Sequence, residues 1–334
     1  MNFLWIPVTI AAAFFQNLRS SLQRHLKGKL SDMGATYVRF AFALPFAVIW
    51  LAVLVLGFNL DLPQPNLAFA GWVIAGSITQ IIFTFLLIWL FSFSNFAVGT
   101  TLSKTEVLQV ALLEAILLRE AVTPLAAGAI VVSSIGVLAL SASKDRLTVG
   151  GMFRGLGKKS TLIGLASGFF LGASSVLFRG AALSLNHDSL LTSAAFTLVL
   201  ATLLQTILVT IWLIIFEKGQ ISSVVTNWRV AATVGFAGWI ASICWFTAFT
   251  LTNAAYVRAL GQVELIFTFL VSVLFFREKV TRAEIGGAIL LASGIVILSL
   301  KGSPETQGVV RPGYLEPSVD WLQAQPVSPK AGST

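Results

Sequence analysis

Two glutamates, Glu106 and Glu264, each lie near the middle of a long apolar run. A carboxylate at membrane depth is destabilising by about 3 kcal/mol unless water or a counter-charge meets it. Two such groups imply a shared polar cavity. Proton titration or cation binding is the chemistry that suits them, with hydrogen bonding between helices as the structural alternative. Lys104 is two residues from Glu106, so the two cannot face each other on one helix. Lys104 is therefore expected to pair with Glu264, and Arg258 to answer Glu106. Gln109 stands one turn from Glu106 on the same face. Gln16 and Asn17 fall in the first apolar run, Gln80 in the third, and Gln262 two residues before Glu264. Trp245 offers a ring face to a cation. These residues are the candidate substrate- or proton-binding set, although amides in membranes also serve as glue between helices. Arg19, Arg39 and Arg179 lie close to predicted helix ends and read as snorkelling side chains.

No catalytic constellation accompanies them. His25 and His187 lie in or near loops and far apart. Cys244 is the single cysteine, so neither a disulfide nor a multi-cysteine metal site is expected. The glycines and bases of residues 150–157 lack a phosphate-binding GKS or GKT. No nucleophile sits beside a base. The expectation is a protein that is not an enzyme and needs no cofactor or metal.

The glutamates are related by an internal repeat. Residues 95–141 align without a gap on residues 253–299, at an offset of 158. The shared frame holds Asn95/Asn253, Leu102/Leu260, Glu106/Glu264, Arg119/Arg277, Glu120/Glu278, Thr123/Thr281, Gly128/Gly286 and Gly136/Gly294, and it places Lys104 over Gln262. At a nearby offset Phe14-Phe15 matches Phe169-Phe170, Ser20 matches Ser175, and Arg24 matches Arg179. Small residues form ladders at Gly164, Gly168 and Gly172, at Gly128 and Gly136, and at Gly286 and Gly294, a spacing that lets helices approach closely.

The elements that must position these residues follow from composition. Of the 334 residues 56% are hydrophobic and 11% charged, against about 25% charged in soluble domains. An integral membrane protein is implied. Ten apolar runs have the length of spanning helices: 3–23, 33–56, 69–91, 96–118, 123–141, 161–185, 189–216, 229–250, 254–276 and 281–300. No Lys or Arg precedes Arg19, so the first run reads as a span rather than a signal peptide. The expected fold is an all-α membrane protein with ten transmembrane helices as two inverted five-helix repeats. An odd number of spans per repeat turns the second copy over. The expected units are residues 1–143, a basic connection at 144–160, residues 161–300 and a disordered, proline-rich tail at 301–334.

The net charge of +8 sits mainly in loops and reads as topology, with the lipid bilayer rather than nucleic acid as partner. Thirteen basic residues fall in the connections on one side: Arg24, Lys27, Lys29, Lys144, Arg146, Arg154, Lys158, Lys159, Lys218, Arg229, Arg277, Lys279 and Arg282. Four fall on the other: Arg119, Lys301, Arg311 and Lys330. The positive-inside rule then puts both termini outside the cytoplasm of a bacterial-type plasma membrane.

The five-plus-five plan, the paired Glu106 and Glu264, the Arg119-Glu120 and Arg277-Glu278 turns and the stretch Leu102-Ser103-Lys104-Thr105-Glu106 resemble the ten-helix, EamA-domain branch of the drug/metabolite transporter superfamily, over roughly residues 1–300. Many members have proline after this glutamate; here Val107 and Leu265 follow, and no residue at either place calls for a helix break. The resemblance implies export or exchange of a small-molecule substrate, by alternating access through a central cavity, by a monomer or homodimer. That cavity would be lined by the first four helices of each half and supported by the fifth. Proton coupling through Glu106 and Glu264 is the accompanying hypothesis. The competing class is a non-transporting membrane scaffold or receptor subunit on the same fold.

Overall fold

The structure, a computed structural model, describes residues 3–24, 26, 28–90, 92–93, 96–144, 158–274 and 281–301. His25, the core of the basic connection, the Arg277-Glu278 turn and the tail beyond 301 lie outside the described residues. Among the described residues the elements are all helical. They are α1 (Trp5–Arg24), α2 (Asp32–Ala41), α3 (Leu44–Ala52), α4 (Leu67–Leu90), α5 (Phe96–Ser103), α6 (Glu106–Leu117), α7 (Pro124–Lys144), α8 (Lys159–Ser184), α9 (Leu190–Phe216), α10 (Gln220–Thr226), α11 (Trp228–Leu251), α12 (Ala254–Gly261), α13 (Val263–Leu274) and α14 (Arg282–Lys301). Among the described residues seven stretches are long and apolar enough to cross a membrane: Asp32–Gly57, Leu67–Leu90, Pro124–Ser141, Lys159–Ser184, Leu190–Phe216, Trp228–Leu251 and Arg282–Leu300. The chain is an integral membrane protein.

Three of the runs expected as single helices are broken. The second divides at Phe42-Ala43 because Pro45 has no N–H to give and its ring crowds the carbonyl of residue 41. It ends in a π-helical turn, Val53–Gly57. The fourth divides into α5 and α6, and the ninth into α12 and α13. The short α10, entered through Gly219 at φ 88°, stands where a plain loop was expected.

The helices pair closely. α4 lies along α8, α1 along α11, and α7 along α14. In the frame of the repeat α1 corresponds to α8 and α4 to α11, so the first two pairs are equivalent contacts. Glycines permit the approach. A Cβ on Gly164 would collide with the backbone of Gly99; one on Gly168 would sit 2.5 Å from the Ser103 carbonyl oxygen, and one on Gly172 2.9 Å from Val110 Cγ2. That ladder is therefore the seam between α8 and the broken pair α5–α6. At the α7–α14 crossing the seam is made by Gly136, Gly287 and Gly294, whereas Gly128 and Gly286 face open space. Gly136 and Gly294 face this crossing while Gly128 and Gly286 do not, and Gly287, seven residues before Gly294, shares its face.

Gly164→Val is expected to destabilise the fold by at least the ~1–3 kcal/mol of ordinary overpacking, because backbone cannot move aside. Gly128→Ala, with open space for its Cβ, should leave the thermal unfolding temperature in detergent unchanged or slightly raised. Equal effects at the two positions would refute the assigned seams.

Candidate functional site

Both broken helices stop at the same place in the repeat. In the first half the amide of Lys104 donates to the Thr101 carbonyl (3.2 Å) and that of Thr105 to the Leu102 carbonyl (3.1 Å). In the second the amide of Gln262, the mate of Lys104, donates to the Ala259 carbonyl (3.2 Å). No proline is involved. Thr105 Oγ1 donates to the Leu102 carbonyl at 2.7 Å, and such back-bonding bends helices. At the other break Gly261 leaves room for the Trp245 ring, whose Cη2 lies 2.6 Å from where a Cβ would stand. The consequence is electrostatic. Each restart puts a glutamate in the first turn of a new helix, Glu106 in α6 and Glu264 in α13. Unpaired N–H groups and the helix dipole favour a negative charge there.

Both cross-repeat ion pairs are present. Lys104 Nζ lies 2.5 Å from Glu264 Oε1. Arg258 Nη2 donates to Glu106 Oε1, which also accepts from Gln262 Nε2 at 3.1 Å. Glu106 is 2% exposed and Glu264 8%, while the Lys104 side chain retains 26%. The two pairs thus differ: one is sealed, the other is partly exposed. The Arg258 guanidinium lies over the Trp245 ring at 4.7 Å, and Trp245 Nε1 donates to Gln16 Oε1 at 3.0 Å. Gln16, Trp245, Arg258, Glu106 and Gln262 form one continuous chain of contacts.

The remaining candidates stand apart from it. Among the described residues Gln109 reaches only Thr105 Oγ1, at 3.4 Å, and its buried Oε1 meets no partner. Gln80 accepts from Gln205 Nε2 at 2.8 Å, an amide bridge between α4 and α9. Asn17 is exposed on the face of α1 that carries the exposed Phe14 and Leu18, away from the contact chain.

Arg19, Arg39 and Arg179 do not snorkel; all three are buried. Snorkelling needs a side chain on the lipid side, and each of these faces inward. Arg179 binds Glu114 (3.1 Å), Glu120 (2.7 Å) and the carbonyls of Phe249 and Thr252. Glu114 also accepts the amides of Ala254 (2.7 Å) and Ala255 (3.0 Å), capping α12. Arg119, at φ 56°, makes the turn that brings Glu120 to this network.

At the far end of α4, Arg39 donates to Thr84 Oγ1 at 2.7 Å. Arg19 and Arg39 line a small cavity of about 40 Å³ with Ser20, Gln23, Asp32 and Thr84. Arg19 lies in the electrostatic range of Glu264 and Arg258, and Arg39 in that of Arg19 and Arg258. The sequence held a signal for Arg19: Gln16, Arg19, Ser20 and Gln23 recur at helical spacing as a polar stripe. Arg39 sits among phenylalanines and gave none.

Residues 158–300 match the profile of the EamA-like transporter family. This half is an EamA domain of the drug/metabolite transporter superfamily. Members of this family are transporters rather than enzymes. The EamA domain contains Trp245, Arg258, Gln262 and Glu264, the second half's share of the ionic centre. No match is found among curated proteins. Among 28 matching chains of solved structures, one crystal structure of a protein superposes with a TM-score of 0.61 at 16% identity, over 88% of this chain and 98% of the other. That likeness is one of fold.

Arg258→Met would leave Glu106 buried with only Gln262, and breaking a buried pair costs about 3–5 kcal/mol. Adding Glu106→Gln should restore most of the lost thermal stability. Lys104→Met, at the more exposed pair, should cost less than Arg258→Met. A double variant no more stable than Arg258→Met alone would show that the pair does not act as a unit.

Proposed function

We propose that the chain is a ten-span transporter that exports or exchanges a small metabolite by alternating access between two inverted five-helix halves. The observation that carries this reading is the pair of helix breaks at equivalent repeat positions, each aiming a carboxylate at a cation of the other half. Inverted-repeat transporters commonly bind substrate and coupling ion at such discontinuous helices. α1 and the split helices α5–α6 and α12–α13 supply the three spans beyond the seven apolar ones.

The two ends of the bundle support the same reading. Asn66, just before α4, bonds the Ser184 carbonyl at the end of α8. That is the end at which the Arg179 network ties α6, α8, α11 and α12 together. The Arg19–Arg39 cavity lies near the other end of α4, beside Leu87 and Ile88. A clasped end, and an opposite end that holds a small cavity and which we take as the open one, would suit one state in an access cycle. The open end is the one whose connections carry the thirteen basic residues, so the positive-inside rule makes this the state open to the cytoplasm. Glu264, in the partly exposed pair, is the group we assign to proton exchange, with Lys104 and Arg19 as the charges facing it. The sealed Glu106–Arg258 pair holds the halves in register.

The test uses purified full-length protein in liposomes loaded with a mixed pool of amino acids, carboxylates and sugars, with efflux read by mass spectrometry. Release of at least one solute above empty liposomes is expected, accelerated by an imposed pH gradient. Glu264→Gln should abolish the acceleration. If no solute leaves faster than from empty liposomes, the scaffold reading replaces this one.

A further inference from the structure

The ionic centre and the cavity beside it are not neutral. Arg19 lies within electrostatic range of Glu264 and Arg258, and Arg39 within that of Arg19 and Arg258. Lys104 takes Glu264 and Arg258 takes Glu106. Arg39 has a hydroxyl, Thr84, and the rings of Phe40 and Phe83 at 5.4 and 5.8 Å, but no carboxylate among the described residues. Arg19 is 3% exposed, and its Nε is buried with no hydrogen-bond partner among the described residues. Arginine does not shed its proton in a protein. A buried, unpaired guanidinium is therefore unfavourable by several kcal/mol unless an anion or water joins it. Both arginines line the same cavity. Its other polar groups are partly committed: Gln23 Nε2 donates to the Ala35 carbonyl at 2.7 Å and Ser20 Oγ to the Gln16 carbonyl at 2.8 Å. Asp32, half-buried in the first turn of α2, and Glu217, which accepts from Ser31, bring negative charge to the same end of the helices, Asp32 in the cavity wall itself.

We propose that the cavity between α1, α2 and α4 is an oxyanion site, in which the guanidinium groups of Arg19 and Arg39 receive a carboxylate or phosphate group of a small solute. This rests on the transporter reading only for the fate of the solute; the binding chemistry stands alone. A guanidinium fork matches either oxyanion with two parallel hydrogen bonds. The negative charge at this end disfavours a purely anionic chain.

The test is equilibrium binding to the purified full chain, by thermal shift and calorimetry, in neutral detergent at constant ionic strength. The probes are succinate, citrate and glycerol phosphate, with glycerol and putrescine as neutral and cationic controls. At least one oxyanion should stabilise the protein saturably, and glycerol and putrescine should not. Arg19→Gln and Arg39→Gln should each weaken binding tenfold or more, Arg19→Lys by less, and Lys218→Gln, on the exposed surface, not at all. Equal binding by Arg19→Gln, or binding of putrescine in preference, overturns the proposal. A second arm adds phosphatidylglycerol: if it alone stabilises the protein through Arg19 and no soluble oxyanion does, the site holds a lipid headgroup and the solute proposal fails. Oxyanion binding lost in Arg19→Gln, in a protein that moves no solute across liposomes, would sink the transporter reading and leave this one standing. Solute movement indifferent to Arg19→Gln and to solute charge would do the reverse.

Discussion

An ionised side chain inside a membrane-spanning bundle must find its opposite, and that requirement organises the centre of this protein. Hydrocarbon offers no solvation and the charge cannot be left bare. Glu106 and Glu264 are each answered from the other half of the chain, by Arg258 and Lys104. Neither half could bury its own carboxylate alone, since the nearest cation in sequence lies on the wrong face or across a break. The ion pairs thus act as assembly constraints as much as chemical groups. They fix which helices meet and at what depth.

The broken helices serve the same requirement. A continuous helix through residues 96–118 would hold every amide in its own ladder and would leave the Glu106 carboxylate facing side chains only. Interrupting it at Lys104-Thr105 releases amides at the start of α6 and sets the carboxylate over them. The second half repeats the device with different residues, Gly261 and the Trp245 ring in place of Thr105. The same geometry reached by two local chemistries indicates that the break itself, rather than the residues that make it, is what the fold requires.

Much of this was legible in the sequence. The gapless repeat identified Glu106 and Glu264 as partners, and the impossibility of a Lys104–Glu106 contact on one helix pointed each cation to the opposite half. The breaks were not legible, because they depend on a hydroxyl back-bond and an indole contact made only after folding. The glycine seam on α8 was readable as an unbroken four-residue ladder, whereas the one between α7 and α14 was not. Of each eight-residue pair the second glycine, Gly136 or Gly294, meets the partner helix and the first does not, and Gly287 adds the remaining contact. Arg19, Arg39 and Arg179 were misread because nearness to a helix end says nothing about which side the residue faces.

The Glu114 carboxylate accepts the first two amides of α12, and α12 carries Arg258 near its other end. A helix of eight residues is about 12 Å long and behaves as a stiff rod. The clasp at one end of the bundle and the sealed pair at its centre are therefore two ends of a single lever. Glu114 thus joins the Arg179 network to the helix that carries the grip on Glu106.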